Sequence, residues 1–156
     1  MTRRPASIVT IVLVLSVGLL GLAASPAPAA QPTVEYALGL KPFHEGVDYD
    51  RLSAEESKRA TIKMEKEGGV TAWVVRGPRA EILRSFADTN GDRVVDRWSF
   101  YKDGLEVYRD IDANFNTKAD QARWLNTAGS RTGIDADENG SIDSWQAISQ
   151  IGRAHV

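Results

Sequence analysis

Three short stretches of this chain repeat one pattern of oxygen-bearing side chains. The first runs Asp88-Thr-Asn-Gly-Asp-Arg-Val-Val-Asp96. With Asp88 as position 1, acids or amides fall at positions 1, 3, 5 and 9: Asp88, Asn90, Asp92 and Asp96. Asp112, Asn114, Asn116 and Asp120 fill those positions in a second copy, and Asp135, Asp137, Asn139 and Asp143 in a third. The copies begin at residues 88, 112 and 135, so the spacings are 24 and 23. A period in that range marks a repeat array, in which each small unit buries its apolar face against its neighbour.

Hard oxygen donors at alternate positions of a tight loop can wrap one cation, and the pattern is that of an EF-hand-type calcium loop. Position 7 would add a backbone carbonyl, from Val94, Lys118 and Ser141. Position 8 is apolar in every copy (Val95, Ala119, Ile142), which pins the loop exit to the core. The third loop has Gly140 at position 6, where a sharp turn favours glycine. The first has Arg93 there and Gly91 earlier, so its backbone is expected to differ, and the second has Thr117 and no glycine. An EF-hand closes with a bidentate Glu at position 12; here that residue is Ser99, Arg123 or Gln146. Each site thus lacks one strong carboxylate unless a neighbour such as Asp110 substitutes. The expected affinity is weak, ~10⁻⁴–10⁻³ M. The first and third loops, with three aspartates each, are the stronger candidates, and the second has two acids. Asx-rich turns without an ion are the alternative. Three copies in register, each with an apolar position 8 and a following aromatic strand, favour the ion.

Bulk properties narrow the classes. A chain of 156 residues has room for one domain. It has no cysteine, which excludes a disulfide framework and a thiolate zinc site. From Asp88 to Asp143 there are twelve acids against seven bases, a balance that attracts cations and repels nucleic acid. At the N-terminus, Arg3-Arg4 precedes an uncharged apolar run from Ile8 to Ala24 and the small-residue stretch Ala27-Pro-Ala29. That layout reads as a secretory signal peptide over 1–30, cut near Ala29 or Ala30. The apolar run is 17 residues, short of the ~20 that a spanning helix needs, so no stable membrane insertion is expected after cleavage. The expected location is secreted, periplasmic or on the cell surface. Residues 150–156 read as the translation of a sequencing adapter, with the natural chain continuing beyond about Gln150.

Between these ends, Pro32, Gly39, Pro42 and Gly46 mark 31–50 as a connector, with His44 solvated. Ser53-Ala-Glu-Glu56 is a capping box for a short helix ending near Ala60. The period then changes to two. Ile62 and Met64 alternate with Lys63 and Glu65, and Val70–Arg76 and Ala80–Phe86 follow as further strands, so 51–87 is a helix plus a β-meander. Over 88–149 the loops alternate with hairpins. Arg97–Tyr101 and Leu105–Arg109 are the arms of one, Gln121–Leu125 and Thr132–Ile134 of the next, and Ser144–Ile148 is a last strand. Tryptophans at 73, 98, 124 and 145, one per unit, are expected in the core. The fold class is mainly β: stacked β-hairpin repeats joined by Asp/Asn-rich calcium loops, with one short N-terminal helix.

The loops resemble the D-x-N-x-D-G repeats of dockerins, thrombospondin type 3 repeats and other EF-hand-like calcium modules. The stretch Gly46–Ile148, with DTNGDRVVDRWSFYKDGLEVYRDID and GIDADENGSID, more specifically resembles a group of secreted planctomycete proteins of unknown function. The dockerin likeness is the poorer one, because dockerin loops lead into helices and strands are expected here. The resemblance implies a secreted calcium-binding protein and no enzymatic role. The expectation is a structural or adhesion module at the cell surface, with calcium ions and a cell-surface protein or polysaccharide as partners. The alternative is an accessory segment of a larger secreted enzyme whose catalytic domain lies beyond this fragment.

Overall fold

The computed structural model describes residues 31–149 apart from 68 and 128. The expected signal peptide (1–30) and the expected adapter-derived tail (150–156) lie outside the described residues. Among the described residues, eight strands follow two short helices. The helices are α1 (Val34–Gly39) and α2 (Ala54–Ser57). The strands are β1 (Thr61–Glu67), β2 (Val70–Arg76), β3 (Ile82–Asp88), β4 (Arg97–Lys102), β5 (Leu105–Ile111), β6 (Gln121–Asn126), β7 (Gly129–Ile134) and β8 (Ser144–Ser149). They form one sheet in chain order, every neighbour antiparallel. The mainly β architecture and its hairpin repeats are as expected, and the hairpins join edge to edge.

Chain order places the loops. In an up-and-down meander, connections alternate between the two ends of the sheet. The three Asp/Asn loops join β3 to β4, β5 to β6 and β7 to β8, so all three fall at the same end. They recur every second strand, about 10 Å apart at the usual strand spacing.

Register assigns the faces. Trp73, Phe86, Trp98, Asp110, Ala122, Gly133 and Trp145 lie opposite one another across β2 to β8. Two residues along each strand, on the same face, runs a second row containing Val75, Arg84, Phe100, Tyr108 and Trp124. The N-terminal segment covers this face. Ala37 of α1 packs with Val75, Leu83 and Phe86, and Tyr49 packs with Phe100, Tyr108 and Ala122. The opposite face carries Ser85, Ser99, Arg109 and Arg123 in one row. Among the described residues there, Ala72, Val74 and Ala87 form a small buried apolar cluster, and Ser85 and Ser99 are buried beside it. This is the usual arrangement of an antiparallel sheet with one covered face.

The expected connector carries α1. Thr33 caps it, accepting from the Tyr36 N–H, and Val34, Ala37 and Leu38 share the face that meets the sheet. Its breakers, Pro32 and Gly39, lie at its ends rather than within it. The Ser53–Glu56 capping box forms, but α2 stops at Ser57, short of the expected Ala60. The next N–H groups, of Arg59 and Ala60, tighten into i→i−3 bonds with Glu56 and Ser57. Trp145 departs from the expected core role, at 52% exposed, because β8 is the last strand of the array. Among the described residues no helix is long and apolar enough to cross a membrane.

Candidate metal centre

Two sets of backbone bonds build the loop row. The first closes each loop: the position-9 N–H of Asp96, Asp120 and Asp143 donates to the residue before position 1, Ala87, Ile111 and Ile134, at 2.8–3.0 Å. The second ties neighbouring loops together. Asp112 N–H donates to the Asp96 carbonyl at 2.8 Å, and Asp135 N–H to the Asp120 carbonyl at 2.9 Å.

The side chains then repeat one scheme. The position-1 carboxylate accepts two N–H groups from inside its own loop: Gly91 and Arg93 for Asp88, Asn116 and Thr117 for Asp112, Asn139 and Gly140 for Asp135. Position 3 accepts from position 5 through Asn90, Asn114 and Asp137. Position 5 accepts the position-7 N–H, with Asp92, Asn116 and Asn139 holding Val94, Lys118 and Ser141. Position 9 reaches back to position 2, so that Asp96, Asp120 and Asp143 accept from Thr89, Ala113 and Ala136. These bonds leave lone pairs on every carboxylate, since each offers about four acceptor sites.

The three backbones agree more closely than the sequence suggests. Position 6 is left-handed in every loop: Arg93 at φ 75°, Thr117 at 79° and Gly140 at 91°. So is position 4: Gly91 at 83°, Phe115 at 61° and Glu138 at 56°. The expected difference in the first loop is thus confined to its bonding: the φ signs at positions 4 and 6 match, but Asp88 accepts the position-4 N–H where Asp112 and Asp135 accept the position-5 N–H. The paired N–H bonds to the position-1 carboxylate impose the turn whether or not glycine is present.

Position 12 takes no part. Each loop leads into a strand, which carries the residue three places beyond position 9 about 10 Å away. Ser99, Arg123 and Gln146 accordingly lie opposite strand partners. Asp110 does not substitute in the second loop. Its side chain is buried on the covered face, accepting the Phe43 N–H at 3.0 Å and the Tyr108 hydroxyl. Burial pushes the Asp110 carboxyl above the usual carboxylate range and the Tyr108 phenol well above its own. His44 joins this network, its Nδ1 3.0 Å from the Tyr108 hydroxyl and its ring edge-on to Trp124. It is half-buried, not solvated as expected.

The candidate loops differ in how they gather charge. In the third, carboxylate oxygens of Asp135, Asp137 and Asp143 lie within 4.8 Å of one another. Among the described residues this is the one group of three acids that could hold a metal ion. Asp135 is buried while Asp137 and Asp143 are exposed, so the trio opens to solvent. Asn139 sits beside it, its amide donating to Asp137 at 2.9 Å. Asp88, Asp92 and Asp96 of the first loop do not converge in this way. Asp96 turns inward, 3% exposed, to accept N–H groups from Thr89 and Asn90.

The second loop receives a residue that sequence reasoning missed. Glu138, at position 4 of the third loop, accepts from the side-chain amides of Asn114 and Asn116. Lys118 Nζ lies 3.5 Å from its other oxygen. The two amide donors hold the Glu138 carboxyl below its ordinary value. No signal within the second repeat could reveal this acid, which belongs to the next one.

Comparison with known proteins finds no matching family model, no matching curated protein and no matching solved structure.

Proposed function

We propose that this protein is a secreted calcium-binding β-repeat module with a structural or adhesive role at the cell surface. The observation that carries the proposal is the convergence of Asp135, Asp137 and Asp143 in a loop whose backbone its two sister loops repeat. Three carboxylates crowded together repel one another, and a cation relieves that repulsion. Calcium suits the donors, which are all hard oxygens on an open loop, because it takes about six to eight of them in flexible geometry where magnesium demands a near-ideal octahedron. Asp135, Asp137, Asn139 and Asp143 would supply side-chain oxygens, and Ser141 a carbonyl. The first and second loops offer smaller or more dispersed charge, so the third site is the principal one. Signal-like residues at the N-terminus support an extracellular setting, where calcium is abundant enough for a weak site to fill. Bound there, the ion ties β7 to β8 at the loop end of the sheet and stiffens the surface that meets a cell-surface protein or polysaccharide.

The test is a thermal melt of residues 31–149 with calcium, magnesium or EDTA. At ~10 mM calcium and a Kd of ~0.1 mM, one site adds about 2.7 kcal/mol. For a domain of this size that raises Tm by roughly 10 °C, with magnesium doing less. Asp135→Ala should remove most of the shift, Asp88→Ala part of it and Asp112→Ala the least. Identical curves in calcium and EDTA would refute the proposal.

A further inference from the structure

On the covered face, four residues along β3 from the start of the first loop, a buried cation has no carboxylate bonded to it. Arg84 in β3 is 1% exposed. Its guanidinium stacks over Tyr49 at 4.4 Å and Phe100 at 5.2 Å, and donates to two backbone carbonyls, Leu83 at 2.6 Å and Asp50 at 2.9 Å. Its Nε, also buried, has no hydrogen-bond partner. Asp50 bonds Arg84 only through its carbonyl; its carboxylate accepts the Asp103 N–H and acts on Arg84 through space alone. No carboxylate among the described residues pairs with Arg84. Burial lowers its pKa to about 10, which leaves it cationic at neutral pH. Rings and carbonyls offset part of the cost of burying a charge, and an anion is what offsets the rest.

The surroundings supply room for one. Arg84 is the most buried wall of an open cleft of about 730 Å³ between α1, α2 and the sheet. That volume lies within the range of small-molecule sites. Leu38 and Leu52 give the cleft an apolar wall, and Lys41, Arg51 and Lys58 add cations against the single acid Glu35. Lys58 is held by Glu55, and Arg51 lies over the same Tyr49 ring that Arg84 stacks on. A buried arginine, exposed cations and an aliphatic wall together match a ligand with a charged head and an apolar body.

We propose that this cleft binds an amphiphilic carboxylate, its head neutralising Arg84 and its hydrocarbon body lying against Leu38 and Leu52. Arginine suits that head, since its planar fork matches a carboxylate in two parallel hydrogen bonds. The site is independent of the loops, and its test runs in EDTA so that failure of one reading leaves the other standing.

The test titrates sodium octanoate into the full chain by calorimetry and follows Tm, with octanol and acetate as controls. Octanoate should bind and raise Tm, while octanol, which lacks the charge, and acetate, which lacks the body, should not at the same concentration. Arg84→Met should weaken octanoate binding at least tenfold, the loss expected for a charge-assisted contact. Its fold should survive, because an apolar replacement removes a buried charge that no carboxylate bonds. Arg51→Gln, at an exposed site, should weaken binding severalfold. No octanoate response in the unmodified chain, a response equal to that of octanol, or undiminished binding by both variants would overturn the proposal.

Discussion

Replacing Thr117 with glycine should stabilise the protein although it deletes a side chain. Thr117 occupies position 6 of the second loop at φ 79°, a conformation in which a β-branched residue is a clear outlier. The left-handed region costs an L-residue about 1–2 kcal/mol. Glycine escapes that cost, and gives back about 0.4–1 kcal/mol through the greater freedom of its unfolded chain. Little else changes. The Thr117 side chain is exposed, and its N–H, which donates to Asp112 at 2.6 Å, is retained by glycine. The net gain is about 0.5–1 kcal/mol, or roughly 2–5 °C in Tm for a domain of this size. Gly140 is the mirror experiment. It sits at φ 91° in the third loop, and a methyl group there would meet only the Phe43 ring at 3.6 Å. Gly140→Ala should therefore lose about 1 kcal/mol for conformational reasons alone. Both variants are compared with the parent by thermal and urea unfolding in EDTA, so that no bound ion contributes. A less stable Thr117→Gly protein, or a neutral Gly140→Ala, would mean that position 6 is not held left-handed and that the three loops do not share a backbone.

Two further substitutions probe the packing around the loops. Gly133 in β7 lies beneath Ile142, the position-8 residue of the third loop, and an added Cβ would stand 2.7 Å from its Cδ1 and 3.1 Å from its Cγ1. Gly133→Ala should cost about 1–3 kcal/mol by overpacking and shrink the calcium-dependent Tm shift, and an unchanged melt and calcium titration would refute that coupling. Asp110 governs a pH effect of opposite sign to most carboxylates. Its folded pKa is raised, chiefly by burial, so the folded chain binds that proton more tightly than the unfolded one. Its stabilising contribution is full at low pH, below the unfolded value, and is lost as pH rises through the folded value. In EDTA, acidification from about pH 6 to about pH 4 should cost the parent less stability than Asp110→Asn, and parallel pH profiles would contradict this reading.

What the sequence determined by itself is what short windows contain. Strand limits followed from period-two alternation and turn residues, so Leu105–Arg109 and Ser144–Ile148 were legible to within two residues of β5 and β8. The loop pattern was legible for the same reason, since an Asx side chain bonds N–H groups two to five residues ahead of it. Tertiary structure decided the rest. Position 6 turned left-handed at Arg93 and Thr117 because closure of the loop, and its tie to the neighbouring loop, outweigh local preference. Glu138 reached the second loop across a sequence gap of 24 residues to Asn114, and Phe43 met Asp110 across 67. Nothing in AEILRSF distinguishes an Arg84 facing solvent from one under Tyr49. Which face of a sheet is buried depends on where a distant segment returns to cover it. Here residues 31–60 make that choice, and with it they turn Arg84 and Asp110 from apparent surface residues into buried polar groups and half-bury His44 against Tyr108.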